Sequence, residues 1–228
     1  MANLICDNLC MTFTNPQTGG KVEALKDINF TLKKGELLAV LGPSGCGKTT
    51  LLNMIAGFIN PTGGHITLGG DVIKSPGVER GMVFQQGALF EWLTVAKNVD
   101  FGLRMKNTDK QESAELVEKW LDIVGLQGFG DTPTYQLSGG MQQRAAIARS
   151  LVHDPKVVLM DEPFGALDAL TREGMNIELL RIWSESKKTI LFVTHGIQEA
   201  VFLGSRVIVL TSSPARMAGD LKGDLPYP

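Results

Sequence analysis

Short apolar runs bounded by turn residues recur along the chain and predict strands that are buried on both faces. These runs lie at 37–41, 157–160, 190–193 and 207–210. Helical patterns separate them, and strands that alternate with helices form a parallel sheet covered by helices on both sides. The pattern therefore predicts an α/β core.

Two further regions have a different pattern, with shorter and more polar segments. They are the first thirty residues and the stretch 65–73, where the pair Gly69-Gly70 suits a hairpin turn. We expect short antiparallel strands here, forming a side sheet against the core.

A helical lobe is predicted to interrupt the core between about Gly87 and Leu151. Apolar residues there follow the i, i+3, i+4, i+7 spacing of an amphipathic helix, at Val117, Trp120, Leu121 and Val124. The stretch 125–134 contains glycine and proline and is interpreted as a loop. We interpret residues 1–228 as one domain with this lobe inserted.

Composition and charge narrow the class of protein only slightly. The 228 residues suit one main core, and 22 basic side chains nearly balance 24 acidic ones, so no strong field indicates a nucleic-acid partner. Cys6 and Cys10 are either half of a metal site or idle thiols, and an odd total of three cysteines favours a reducing compartment. The sequence shows no leader and no membrane-spanning run, so we expect a cytosolic chain or one bound to a membrane through another protein.

A glycine-rich segment with the pattern G-x-x-x-x-G-K-[ST] is the first candidate site. It follows the apolar run 36–41 and precedes a predicted helix at 48–58. Bare backbone can direct its N–H groups at phosphate oxygens, while Lys48 reaches the β- and γ-phosphates and the Thr49 hydroxyl holds Mg²⁺. The alternative is a plain glycine-rich turn. The predicted nucleotide-binding residues of this segment are Gly42, Pro43, Ser44, Gly45, Cys46, Gly47, Lys48, Thr49 and Thr50.

Two adjacent carboxylates, Asp161 and Glu162, follow the buried run at 157–160. Ligands of open α/β sheets bind at the carboxyl ends of strands. Asp161 can bind Mg²⁺ through its water shell, and Glu162 can orient and deprotonate an attacking water. Taken alone the pair is also an ordinary strand-to-turn transition, but the phosphate-binding pattern favours the chemical interpretation.

A second anion-binding helix start is predicted at Ser138, Gly139 and Gly140, since Ser138 is a good N-cap for the helix that follows. The alternative is an ordinary capped helix. A chain that already holds one phosphate loop seldom needs a second such site, so this turn could serve the nucleotide bound by another copy.

With these motifs in place, the chain resembles the nucleotide-binding subunit of ATP-binding cassette (ABC) transporters over nearly its whole length. Leu-Ser-Gly-Gly at 137–140 is similar to that family's signature, although Met141 stands where glutamine is usual. The resemblance implies a P-loop NTPase core with a mainly parallel sheet, an antiparallel side sheet and an inserted helical lobe. It also implies a head-to-tail homodimer, in which each ATP lies between the phosphate loop of one copy and Ser138, Gly139 and Gly140 of the other.

The same resemblance assigns roles near the γ-phosphate. Gln85 is implied to sense Mg²⁺ or the attacking water, with Gln86 leaving a one-residue ambiguity. His195 matches the histidine that contacts the γ-phosphate, although the family commonly has aspartate where this chain has Gly196. With Glu162, these residues form the predicted catalytic set, and the predicted Mg²⁺ ligands are Thr49, Gln85 and Asp161.

Two other residues gain roles at the edges of the site. Asp168, in the sequence Gly-Ala-Leu-Asp, is implied to lie across the dimer interface beside the partner's nucleotide. Phe13 occupies the place of an aromatic residue that stacks on adenine; the alternative is a core residue at the end of a strand.

The resemblance also implies partners. The apolar stretch 88–95 is either lobe core or a groove, and the family favours a groove near Phe90 to Val95 for a helix of a separate membrane permease. The sequence DEPFGALDA is most like importers of nitrate, taurine and other sulfonates, which also use a solute-binding protein. This implies a peripheral location on the cytoplasmic side of the inner membrane, and related chains often continue beyond an ending such as the one after Pro214.

Three rival functions are weaker. A soluble cassette ATPase usually carries two cassettes or a long coiled-coil insertion, a GTPase or kinase has no use for the turn at 138–140, and Glu162 and His195 argue against a scaffold that does not hydrolyse nucleotide.

Overall fold

The structure is a computed structural model that describes residues 3–85 and 88–223. The strands of this part are β1 (Leu4–Thr14), β2 (Lys21–Leu32), β3 (Leu37–Leu41), β4 (Gly63–Leu68), β5 (Asp71–Val72), β6 (Arg80–Val83), β7 (Val157–Asp161), β8 (Ile190–Thr194), β9 (Arg206–Leu210) and β10 (Met217–Lys222). Its helices are α1 (Lys48–Ala56), α2 (Val95–Met105), α3 (Lys110–Ile123), α4 (Gly139–Leu151), α5 (Ala169–Ser186) and α6 (Ile197–Leu203), with a 3₁₀ turn at Thr134–Gln136.

Six strands form the main sheet, in the order β10-β9-β3-β8-β7-β6. All neighbouring pairs are parallel except β10 with β9. The four apolar runs are the strands β3, β7, β8 and β9, which confirms the predicted α/β core. Since the strands are parallel, the residues that follow β3, β7 and β8 meet at one edge of the sheet.

The side sheet is antiparallel, in the order β2-β1-β4-β5, as predicted. Leu4 at the start of β1 lies opposite both Leu32 and Leu68. Gly69 and Gly70 both have positive φ angles, which glycine adopts at little cost, and they connect β4 to β5 as expected.

Alternation along the main strands divides the core between the two faces of the sheet. On β7, Val157 and Leu159 face α1 and the side sheet, whereas Val158 and Met160 face the helical lobe and α5. All four side chains are fully buried. The buried strands therefore hold the site edge rigidly between two apolar layers.

The helical lobe consists of α2, α3 and α4, and it packs on the sheet through α4 and β6. The predicted stripe of Val117, Trp120, Leu121 and Val124 is buried between these helices. The predicted lobe boundary at Gly87 lies outside the described residues. No helix in the described part of the chain is long and apolar enough to cross a membrane.

Candidate functional site

The glycine-rich segment forms a tight loop between the end of β3 and the start of α1. Gly45 and Gly47 have φ angles of +75° and +112°, which other residues rarely adopt. A Cβ added at Gly42 would lie 2.8 Å from Cys46 Sγ, so glycine is needed there for space. We call residues 42–49 the phosphate loop.

The first turn of α1 has no side-chain cap, because its N-cap residue is Gly47. Helix N-termini leave backbone N–H groups without intrahelical partners, and together with the helix dipole these groups attract anions. The N-terminus of α1 is therefore suited to phosphate, as the sequence predicts.

Lys48 is held at the centre of this loop, with only 5% of its surface exposed. Its Nζ donates to the carbonyl oxygens of Gly42, at 2.9 Å, and Pro43, at 3.0 Å. Glu162 Oε1 lies 3.4 Å from the same nitrogen. A buried cation with these acceptors is a fixed source of positive charge beside the loop amides.

The two hard oxygen donors predicted for Mg²⁺ lie together. Asp161, the last residue of β7, accepts a hydrogen bond at 3.3 Å from the Thr49 hydroxyl in the first turn of α1. Burial raises the pKa of Asp161, an effect opposed by the Thr49 hydrogen bond and by Lys48. Hydroxyl and carboxylate oxygens suit Mg²⁺, which commonly takes one or two protein ligands plus phosphate oxygens and water. The residues present therefore fit such an ion.

Protein groups alone do not make a complete cation cage. The described residues contain no cluster of three or more histidine, cysteine, aspartate or glutamate side chains that could hold a metal ion.

Glu162 lies between Lys48 of the phosphate loop and His195, another member of the predicted catalytic set. Its Oε1 faces Lys48, and its Oε2 lies 2.9 Å from Nδ1 of His195, which follows β8. The backbone of Glu162 has a φ angle of +41°, and its N–H donates to the Val193 carbonyl at 3.0 Å. The structure thus brings the predicted base and histidine together at the ends of neighbouring strands.

Gln85 lies beside the loop that follows Glu162. A Cβ built on Gly165 would meet Gln85 Nε2 at 3.2 Å and the Glu162 carbonyl at 3.3 Å. Among the described residues no hydrogen bond joins Gln85 to Thr49 or Asp161, so its metal role stays a prediction. The alternative register with Gln86 lies outside the described residues.

A hydrogen bond between α4 and the segment that carries Gln85 was not predicted. Gln143, only 3% exposed on α4, donates from Nε2 to the Phe84 carbonyl at 3.4 Å. A glutamine among the mostly apolar buried residues of α4 is the signal that could have identified it.

The second predicted anion site forms the start of α4. Ser138 is the N-cap and its Oγ accepts from the Met141 N–H at 3.3 Å. Ser138 and Gly139 are exposed, whereas Gly140 is buried. Met141 packs partly buried against the lobe core, which explains how an apolar side chain fits there. We call Ser138–Gly140 the serine-glycine turn.

No hydrogen bond in the described part of the chain joins the serine-glycine turn to the phosphate loop. The turn packs instead on the loop before α5 and on the first turn of that helix: added Cβ atoms at Gly139 and Gly140 would lie 3.4 Å from Leu167 and 3.3 Å from Thr171. Within one chain the two predicted anion sites are therefore separate.

Asp168 and Phe13 both lie at exposed positions. The Asp168 carboxylate caps α5, accepting from the Thr171 N–H at 3.0 Å and hydroxyl at 2.7 Å, and these hydrogen bonds lower its pKa. Phe13 is 43% exposed at the end of β1, so it is not a core residue. Its predicted stacking on adenine remains a prediction.

The stretch 88–95 divides between the two expected roles. Val95 is fully buried in the lobe core, whereas Trp92 is 80% exposed. The Phe90 ring lies 5.3 Å from the Trp92 ring and 4.6 Å from the Phe101 ring, and the Arg149 guanidinium lies 5.3 Å from the centroid of the Phe90 ring. The rings of Phe90, Trp92 and Phe101 therefore form an aromatic surface beside residues that are buried in the lobe core.

Comparisons with known proteins agree with this geometry. The family model described as "ABC transporter" matches residues 25–165. The chain is 66% identical over 217 residues to the taurine import ATP-binding protein TauB of Pelagibacter ubique, covering 95% of this chain and 82% of the relative. It is 56% identical to the protein of the same name from Roseobacter denitrificans, covering 95% and 81%.

Solved structures give the same result for the fold. The dimeric ATP-binding cassette MJ0796 bound to ADP and Pi superposes with a TM-score of 0.81 at 32% identity, covering 96% of this chain and 98% of that one. The cbiO1 protein of Clostridium perfringens, part of an ABC transporter complex, gives a TM-score of 0.84 at 30% identity, covering 96% and 88%. These matches confirm the predicted P-loop NTPase fold, and with the phosphate loop and acidic pair they place the chain in the ABC transporter family as an ATP-hydrolysing subunit.

Proposed function

We propose that this protein powers the import of taurine or a similar small sulfonate or anion through a separate membrane permease. The observation that carries this proposal is the 66% identity, over 95% of the chain, to a taurine import ATP-binding protein. The cargo does not bind this subunit in the proposed scheme, so its identity rests on that likeness.

Within one copy, the site arrangement supports a division of labour for ATP hydrolysis. Lys48 and the loop amides bind the phosphates, and Thr49 and Asp161 hold Mg²⁺, which neutralises phosphate charge when bound. Glu162 orients and deprotonates the attacking water, while His195 contacts the γ-phosphate. Phe13 stacks on the adenine.

The mutual contact of Glu162 and His195 supports a joint action at the γ-phosphate. The 2.9 Å contact holds the imidazole beside the proposed base, so a water that approaches Glu162 also lies within reach of the histidine. Gln85, beside the same loop, reports the occupancy of this position to the helical lobe.

Two copies complete the site in a head-to-tail homodimer. Ser138, Gly139 and Asp168 are exposed. The serine-glycine turn lies next to the residues around Asp168, since added Cβ atoms at Gly139 and Gly140 would approach Leu167 and Thr171. In the dimer they contact the ATP bound by the partner copy. Closure around ATP and reopening after hydrolysis drive the permease.

The permease docks on the aromatic surface formed by Phe90, Trp92 and Phe101. Trp92 is exposed, and large amphipathic aromatic side chains are typical anchors at protein interfaces. Phe90 and Trp92 precede α2 and Phe101 lies on it, so the segment that carries Gln85 can connect this surface of the lobe to the catalytic residues at the ends of β7 and β8. In this proposal the protein lies peripherally on the cytoplasmic side of the membrane, and a solute-binding protein completes the system.

Uptake by the reconstituted system tests this proposal. The chain is assembled with the permease and solute-binding protein encoded beside its gene, in proteoliposomes containing ATP and Mg²⁺, and radiolabelled taurine uptake is measured. We expect ATP-dependent uptake that competing sulfonates reduce and that Glu162→Gln abolishes. ATP hydrolysis without uptake of taurine, nitrate or any sulfonate would refute the transport proposal.

A surface variant separates docking from catalysis. Trp92→Ala removes an exposed side chain, so we expect normal nucleotide binding but reduced permease association. Val78→Ala is a matched control, since Val78 is also exposed, at 64%, and is not one of the residues that form the aromatic surface. Equal permease association for both variants would place docking elsewhere.

A further inference from the structure

The loop that carries His195 is closed by a threonine that bridges two partners. Thr194 ends β8 and is only 2% exposed. Its hydroxyl accepts from the Gly196 N–H at 2.9 Å and donates to the carboxylate of Glu199. We call residues 194–196 the switch loop.

Glu199 reaches this loop from the first turn of α6. Together with Glu162, Arg172, Thr194 and His195, it lines a cavity of about 430 Å³. Burial raises the pKa of Glu199, opposed by the Thr194 hydrogen bond and by the charges of Arg172 and His195, while the charge of Glu162 raises it further. Placing a carboxylate here is costly, which favours a role that offsets the cost.

The carboxylate is not used as a helix cap. The N-cap of α6 is Gly196, and α6 has no side-chain cap hydrogen bond. The Glu199 hydrogen bond goes to the Thr194 hydroxyl instead, one residue before His195. A role limited to the helix start, through the dipole alone, would not need this bond.

We propose that Glu199 is a positioning residue for His195, acting through the Thr194 hydroxyl. The bond fixes the rotamer of Thr194, whose oxygen then holds the Gly196 N–H and sets the turn between β8 and α6. His195 lies within that turn, so its ring is aimed at Glu162 by the backbone as well as by the 2.9 Å side-chain contact. This rests on the role proposed above for His195.

The glycine at position 196 explains why Glu199, three residues further along the chain, orders the switch loop. Gly196 has no side chain to order the loop, and a Cβ there would lie 3.5 Å from both the Thr194 hydroxyl and the Glu199 Cβ. Glu199 therefore occupies the space next to the turn and supplies the missing acceptor from three residues later.

Steady-state ATP hydrolysis by the full chain tests the proposal. We expect Glu199→Leu and Thr194→Val each to lower kcat by roughly tenfold, as for one lost positioning hydrogen bond to a charged group, with KM for ATP changed less than about threefold. Glu199→Gln keeps an acceptor oxygen and is expected to restore most of kcat. The double variant should lose no more than the worse single variant.

Glu173→Leu is the matched control, because Glu173 is an exposed carboxylate lining the same cavity. We expect it to leave kcat unchanged. An equal loss in the control, or a Glu199→Gln variant as impaired as Glu199→Leu, would overturn the proposal.

Histidine NMR tests the positioning without relying on activity. The chain has three histidines, so ring ¹³C-labelled protein gives three signals, for His65, His153 and His195. We expect Glu199→Leu and Thr194→Val to move the His195 signal and leave the other two in place. An unmoved His195 signal, or equal shifts of all three, would overturn the inference. Unchanged turnover in His195→Ala would instead refute only the proposed role of His195, since the NMR result would stand.

Discussion

Two helices of this protein begin at glycine-rich turns, and their surroundings differ. The start of α1 has no side-chain cap and lies next to a buried lysine, a hydroxyl and two carboxylates. The start of α4 is capped by its own Ser138 and presents exposed Gly139, and the turn itself contains no charged side chain. The first turn is a nearly complete phosphate site, whereas the second is half of one.

This comparison indicates that the function of a helix N-terminus depends on the charged side chains that neighbouring elements place beside it. Backbone amides are common to both turns, and amides alone attract an anion weakly. Only the phosphate loop has the cation and the carboxylates that make phosphoryl transfer possible. We therefore propose that the serine-glycine turn acts when another copy brings a bound nucleotide to it.

The largest effect is expected at the carboxylate that only the first turn possesses. Glu162→Gln should lower kcat by about 10² to 10⁴, because a general base is lost, while ATP binding is retained. Phosphate release assays and fluorescent-nucleotide titration measure the two quantities. Near-normal turnover would remove Glu162 from the catalytic role and weaken the contrast between the turns.

The next effect is on binding at the same turn. Lys48→Ala removes charge-assisted hydrogen bonds to phosphate, worth about 1.5–3 kcal/mol, so ATP should bind about 10–100-fold more weakly. Ser138→Ala should leave ATP binding by a single chain unchanged. Fluorescent-nucleotide titration checks both, and equal losses would contradict the assignment of the two turns.

A pair of glycine substitutions should separate the turns by stability. Gly47→Ala places a side chain at a φ angle of +112°, 3.1 Å from Leu25 Cδ2, and left-handed backbone costs about 1–2 kcal/mol in other residues. Thermal unfolding should show a Tm lower by roughly 2–8 °C, at 2–4 °C per kcal/mol. Gly139→Ala lies at a helix start with ordinary φ and should not lower the Tm, so an equal drop would contradict the account.

The smallest expected effect is the pH dependence of stability that comes from Glu199. Because burial raises the pKa of Glu199 above its usual value in the unfolded chain, its contribution to stability is fully present below that value and is lost as the pH rises through the folded pKa. Glu199→Gln removes this titration. The Tm of the variant minus that of the wild type should therefore be more positive at pH 7 than at pH 4. A pH-independent difference would mean that Glu199 does not titrate in this way.

Much of the fold could be predicted because buried parallel strands have strong local signals. The runs at β3, β7 and β8 are continuous and apolar, and the stripe on α3 has helical spacing. The strands β6 and β10 were not predicted. β10 is a polar edge strand, held by Arg206 pairing with Asp220 at 2.6 Å, and such long-range pairs leave no local pattern.

In the candidate site, contiguous motifs could be predicted from the sequence, whereas contacts between separate elements could not. The phosphate loop and the acidic pair are contiguous motifs at strand ends, so sequence spacing reveals them. Gln143 and Glu199 act through contacts that span 59 and 5 residues, with Phe84 and Thr194, and neither lies in a recognisable motif for its contact. Their roles depend on the packing of separate elements, which only the structure shows.

Mixing two inactive variants tests whether each ATP lies between the phosphate loop of one copy and the serine-glycine turn of the other. Lys48→Ala and Ser138→Phe protomers are purified separately, shown to be folded, and combined in the permease-reconstituted transporter before ATP hydrolysis is measured. Each variant alone should be inactive, whereas mixed dimers contain one intact composite site, so an equal mixture should recover roughly a quarter of wild-type turnover if the sites act independently. Turnover no greater than the sum of the two variants alone, at every mixing ratio, would contradict the account.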